Sequence, residues 1–120
     1  MNLRFVSTKT HGVLDYLSVG TLLALPRALG WGPRPTNLLT GAAVGTLAYS
    51  LLTRYELGLV RILPMPGHLA LDALQGALLC AAPALLPDED GSVAAALVGL
   101  GAFELAAALS TTPHSPLEAA

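Results

Sequence analysis

Four apolar stretches, near residues 11–29, 35–53, 66–87 and 91–111, dominate this chain, and each is about as long as one bilayer crossing. A helix needs roughly 20 residues to cross about 30 Å of hydrocarbon. The charged residues fall between the stretches or at their ends: Arg4 and Lys9, then Arg27 and Arg34, then Arg54, Glu56 and Arg61, then Asp88, Glu89 and Asp90. The stretches are too long for strands and lack alternation. The expected fold is therefore an all-α membrane protein, with four transmembrane helices in a single membrane domain over residues 1–120. Composition agrees: 53% of the residues are hydrophobic and only 12% are charged. A chain of 120 residues buries too little of its surface to hide that much apolar area in a soluble core.

The helix breakers sit between the stretches. Gly30-Trp31-Gly32-Pro33-Arg34-Pro35 predicts a turn, Pro64-Met65-Pro66-Gly67 opens the third helix, and Pro87-Asp88-Glu89-Asp90-Gly91-Ser92 separates the last two. Thr10 and Ser92 are candidate N-caps. Trp31, Tyr16 and Tyr55 fall near helix ends, where interfacial aromatics collect. Cys80 reads as a small apolar packing residue, and the tail from Pro113 as a frayed end. Gly41-x-x-x-Gly45 offers a small-residue face for close packing or a homo-oligomer contact.

Orientation follows from Lys and Arg in the short loops. The amino terminus and the middle loop carry Arg4, Lys9, Arg54 and Arg61. The opposite side carries Arg27 and Arg34. Both termini are therefore expected in the cytoplasm. A net charge of −2 with six basic residues gives no footprint for nucleic acid. A single cysteine excludes an internal disulfide and a Cys-based metal site. No nucleotide loop or nucleophile motif is visible, so the chain does not read as an enzyme.

The sequence repeats itself. At an offset of 57, as from His11 to His68, Leu14, Asp15, Leu17, Leu22, Ala24, Pro26 and Leu29 match Leu71, Asp72, Leu74, Leu79, Ala81, Pro83 and Leu86. At an offset of 58, Ala48, Leu51 and Thr53 match Ala106, Leu109 and Thr111. Each repeat, about 10–53 and 66–111, is a helical hairpin. Two crossings return the chain to its starting side, so the two hairpins are tandem and parallel, related by an axis along the membrane normal.

These features resemble the SPW-repeat family of small bacterial integral membrane proteins. The residues that carry the resemblance are Lys9-Thr10-His11 through Asp15-Tyr16, and Thr53-Arg54-Tyr55-Glu56-Leu57-Gly58-Leu59-Val60 followed by Pro64-Met65-Pro66-Gly67-His68. The name-giving Ser-Pro-Trp triplet is reduced to its proline, reading Leu25-Pro26-Arg27 and Ala82-Pro83-Ala84. The resemblance implies a multi-pass protein of the bacterial inner membrane, and it implies no activity.

Ionisable groups within a span cost roughly 2.5–3.5 kcal/mol each and mark candidate sites. Five stand here: His11, Asp15, His68, Asp72 and Glu104. His and Asp at i and i+4 share a helix face, which continues to Ser18 in the first helix and Gln75 in the third. Thr46, aligned with Glu104, shares a face of the second helix with Ser50 and Thr53. The symmetry aims both stripes at the axis, with Glu104 at a comparable depth. Three readings use this cluster. It could be a polar network joining the repeats of a structural or accessory protein. It could hold a metal ion such as Fe, Mn or Zn, with bis-His haem as a less favoured variant. Or it could carry protons in a small transporter acting as an oligomer.

Overall fold

A computed structural model describes residues 3–118. The order is α1 (Thr8–Ala28), α2 (Pro33–Leu51), α3 (Met65–Leu85) and α4 (Gly91–Ser110), with a short 3-10 turn at Pro116–Glu118. The fold is all-helical, and its only strand-like pairings among the described residues are two isolated bridges. The helix limits lie within three residues of those expected. By length and composition two of the four helices, α3 and α4, could cross a membrane, where four were expected. The physical reason is local: α1 carries Lys9, His11, Asp15 and Arg27, and α2 opens on Pro33-Arg34-Pro35-Thr36-Asn37.

The helix starts follow from their caps. Ser7, not Thr10, caps α1, its hydroxyl accepting from the Thr10 N–H at 3.1 Å. Asp90, not Ser92, caps α4, accepting from the N–H groups of Ser92 and Val93 at 3.0 and 3.2 Å. A hydrogen bond donated by the Ser92 hydroxyl, and then those from the two backbone N–H groups, hold the Asp90 carboxyl below its ordinary range. Prolines in the first turn open α2 and α3, where the missing N–H costs nothing. Gly30, with φ +66°, makes the turn after α1, a conformation that disfavours any residue with a Cβ.

The principal contacts run within the hairpins, α1 with α2 and α3 with α4. Val19, Leu22, Leu39, Ala43, Leu79 and Leu97 form a shared core. α3 and α4 meet most closely at Gly76 and Gly101: a Cβ on Gly101 would stand 2.5 Å from the Gly76 carbonyl oxygen. Cys80 lies half-buried at this crossing, its nitrogen and sulfur beside Gly101. The Gly41-x-x-x-Gly45 face is not the packing seam. Gly41 has open space around it, and a Cβ on Gly45 would meet only the Gln75 side chain.

The chain makes the same junction twice. Val6, just before α1, pairs with Thr111, just after α4; Leu63, just before α3, pairs with Thr53, just after α2. The 52–64 segment folds back on the end of α2: Leu59 and Val60 donate to the Leu51 carbonyl, and Leu63 to that of Leu52. The last carbonyls of α2 are thereby satisfied without water. Tyr55 in this segment is fully buried and not an interfacial aromatic. The tail is docked rather than frayed. The Glu118 carboxylate accepts from the Met65 N–H at 2.6 Å, and the buried Ser115 hydroxyl donates to the Arg54 carbonyl.

Candidate functional site: a buried His/Asp quartet

His11, Asp15, His68 and Asp72 come together where the starts of α1 and α3 face each other. All four are buried. Both i,i+4 pairs form within their helices: His11 Nε2 lies 3.2 Å from Asp15 Oδ1, and His68 Nε2 3.2 Å from Asp72 Oδ2. Two further contacts cross between the hairpins. His11 Nε2 stands 2.7 Å from Asp72 Oδ2, and His68 Nε2 stands 3.1 Å from Asp15 Oδ2. Each imidazole thus faces both carboxylates, and each carboxylate faces both imidazoles. The two rings meet edge to face, with centroids 5.2 Å apart.

Two threonines orient the rings. His11 Nδ1 lies 2.7 Å from the Thr111 hydroxyl, which donates to the Ala107 carbonyl at 2.6 Å. His68 Nδ1 lies 2.7 Å from the Thr53 hydroxyl, which donates to the Tyr49 carbonyl at 2.6 Å. Each hydroxyl has spent its single proton on a helix carbonyl. It can only accept from the ring, so Nδ1 of both histidines carries the proton. Nε2 is therefore the inward atom in both cases. It is surrounded by carboxylate oxygens, so it carries a second proton or a cation.

Two tyrosines complete the carboxylates, and the sequence reading missed both. Tyr55 donates to Asp15 Oδ2 at 2.7 Å, and Tyr49 donates to Asp72 Oδ1. Burial first, then the charge of Asp15, push the Tyr55 phenol well above its ordinary range. It stays a donor at working pH. Tyr55→Phe should cost about 1.5–3 kcal/mol, the range for a hydrogen bond to a charged group. Tyr16→Phe should cost about 0.5–1.5 kcal/mol, since Tyr16 donates to the Leu57 carbonyl and is only part-buried. Thermal melts of the two variants check the order, and an equal loss would mean that Tyr55 does not hold a charged Asp15.

Glu104 was expected beside the other four, but it stands one layer away. Its Oε1 accepts from the Gln75 amide at 2.7 Å, and the same amide nitrogen donates to the Thr46 hydroxyl at 2.8 Å. Its Oε2 is buried without a partner. A void of about 10 Å³ separates Glu104 from the quartet, with Ser18 on its wall. That is about the room for one water. Outside it, a recess of about 160 Å³ between α1 and α4 reaches Glu104 past Leu17 and Leu100. Ser50, expected on the same face as Thr46 and Thr53, is buried with its hydroxyl unpartnered. Glu56 accepts from the Thr8 hydroxyl at 2.8 Å, at the start of α1. His114 is exposed and pairs with Glu118.

The arrangement can hold two unit charges of each sign in balance, or place four N and O donors around one cation. Its four candidate donor atoms lie within 4.8 Å of one another. Haem does not fit. The carboxylates stand within 3.2 Å of each Nε2, in the space a macrocycle would need. No family model, curated protein or solved structure matches this chain.

Proposed function

We propose that this is a small multi-pass protein of the bacterial inner membrane, of structural or accessory type, whose two tandem hairpins are clasped by the quartet. The observation that carries this reading is the contrast between inside and outside. The four residues of the quartet are buried within the bundle. Leu17, Leu23, Val44, Leu47, Leu74, Leu78, Val98 and Leu109, drawn from all four helices, are exposed. An apolar surface of that extent on so small a chain marks contact with lipid or a partner.

All four helices span the membrane in this reading. α1 and α2 have 21 and 19 residues, long enough at about 1.5 Å per residue to cross about 30 Å. Two of the residues that lower the hydropathy of α1 are turned away from the surface. His11 and Asp15 point into the bundle. Arg27, in the last turn, donates to the Leu23 carbonyl and the Thr40 hydroxyl. Lys9 and Arg34 lie in first turns, where long basic side chains reach the headgroups. The likeness to SPW-repeat proteins rests on the sequence motifs given above.

The test is membrane retention after alkaline carbonate washing, with topology reporters fused after residue 120 and inserted at residues 32, 58 and 89. The expected pattern is retention, cytoplasmic signals at 58 and the carboxyl terminus, and external signals at 32 and 89. Release by carbonate would overturn the reading. Signals on both sides at one position would favour a dual-topology exchanger acting as an oligomer.

A further inference from the structure

We infer that the quartet is a binding site for one divalent transition-metal ion, held by His11 Nε2, His68 Nε2 and one oxygen each of Asp15 and Asp72. The inference rests on the quartet being buried at the contact between the hairpins, as proposed above, and adds to it a ligand of stated chemistry.

The first argument is distance. A tetrahedral site with bonds of about 2.0–2.1 Å to N and O has donor atoms roughly 3.3 Å apart. With Oδ2 taken from each aspartate, His11 Nε2 stands 2.7 Å from Asp72, and His68 Nε2 stands 3.1 Å from Asp15 and 3.2 Å from Asp72. One donor atom from each of the four residues lies within 4.8 Å of the others, so side-chain adjustment closes the set around an ion.

The second is direction. His68 Nε2 is buried, and no acceptor lies where its ring N–H would make a hydrogen bond, although carboxylate oxygens stand 3.1 and 3.2 Å away. A direct ion pair would place an oxygen on that axis. An ion between the oxygens satisfies the same nitrogen without moving the ring.

The third is the surrounding shell. Ligating histidines almost always donate their other N–H to a fixed acceptor, which sets the tautomer and ring plane. Thr111 and Thr53 do this for His11 and His68, and both hydroxyls are themselves anchored to helix carbonyls. Tyr55 and Tyr49 anchor the two carboxylates in the same way.

The fourth is charge. Two neutral imidazoles, two carboxylates and a divalent ion sum to zero, the sum a low-dielectric interior favours. The N₂O₂ donor set suits Zn, Fe(II) or Mn(II) and not Mg, which takes six oxygens and keeps its waters. Four protein ligands leave no open position, so the ion is structural in this scheme and not a catalyst.

The test uses the full chain in detergent, purified without a histidine tag. Elemental mass spectrometry of the isolated protein should find close to one transition-metal ion per chain. Titration of the metal-free protein with Co²⁺ should raise the intense visible bands of tetrahedral cobalt, saturating at one equivalent and suppressed by Zn²⁺. His11→Ala/His68→Ala should abolish the bands. That variant could also fail to fold, so Thr53→Val and Thr111→Val serve beside it. Each keeps all four ligands, so the bands should persist while affinity falls about 10–100-fold.

Wild-type protein that melts cooperatively but carries no metal and shows no tetrahedral bands would overturn the inference and leave the clasp intact. Bands that survive loss of both histidines would overturn it as well. If quartet variants melt like wild type, the clasp fails, whatever the cobalt result.

Discussion

In the metal-free protein, where both imidazoles are protonated, His11→Ala destabilises the fold in detergent by about 3–5 kcal/mol, the cost of removing one partner from a buried charge pair, and adding Asp72→Ala to it recovers much of that loss. The reason is the charge count. The quartet has two carboxylates and two imidazoles, all buried. Without His11, two carboxylates share one imidazole, and one negative charge stays uncompensated. Removing Asp72 as well restores one to one. A double variant more stable than either single one is the signature of this coupling.

Thr111→Val removes one hydrogen bond from the charged His11 ring, a loss of about 1.5–3 kcal/mol, and leaves the charge count intact. Thr111→Val should therefore cost less than His11→Ala. Cys80→Ala removes one half-buried sulfur and should cost less still. Reversible unfolding of the five variants measures all of this. Equal midpoints for His11→Ala and Cys80→Ala would mean that the charges do not converge.

Gly101→Ala loosens the α3–α4 crossing, whereas Gly41→Ala leaves the protein as stable as before or more so. In a helix, alanine is favoured over glycine by about 1 kcal/mol, and only that gain operates at Gly41, where a Cβ meets nothing. At Gly101 the new Cβ would stand 2.5 Å from the Gly76 oxygen, 2.7 Å from the Cys80 sulfur and 2.8 Å from the Cys80 nitrogen. Two of these atoms are backbone, so the helices must part. Overpacking of this kind costs roughly 1–3 kcal/mol and sometimes more, which outweighs the propensity gain. Gly101→Val should be worse. The unfolding midpoints of the two alanine variants decide it: opposite signs are expected, and a shared sign would show that the crossing yields freely.

The same contrast shows what kind of information the sequence held. The spacing in Gly41-x-x-x-Gly45 looks like a packing motif, but spacing does not say which face of α2 meets a neighbour. Gly76 and Gly101 share no local motif. They are close because α3 and α4 cross there, a fact of docking and not of periodicity. Tyr49 and Tyr55 were invisible for a related reason. Tyr49 lies on α2 and bonds Asp72 on α3; Tyr55 lies in a loop and reaches Asp15 on α1. Nothing in the local pattern of either tyrosine encodes that partner.

The sequence by itself determined the four helices, their limits to within a few residues, and the two His/Asp faces. Each of these is local: breakers and caps set the ends, and 3.6-residue periodicity puts i and i+4 on one side. The match between the His11 and His68 segments was also legible, because repetition is a property of the string. Only the tertiary structure decided that the two faces meet as a closed quartet, with Glu104 held one layer off by Gln75 and the imidazoles turned by Thr53 and Thr111. Those outcomes depend on the depth and rotation at which one hairpin seats against the other. A shift of a few ångströms there changes every partner while leaving each helix unchanged.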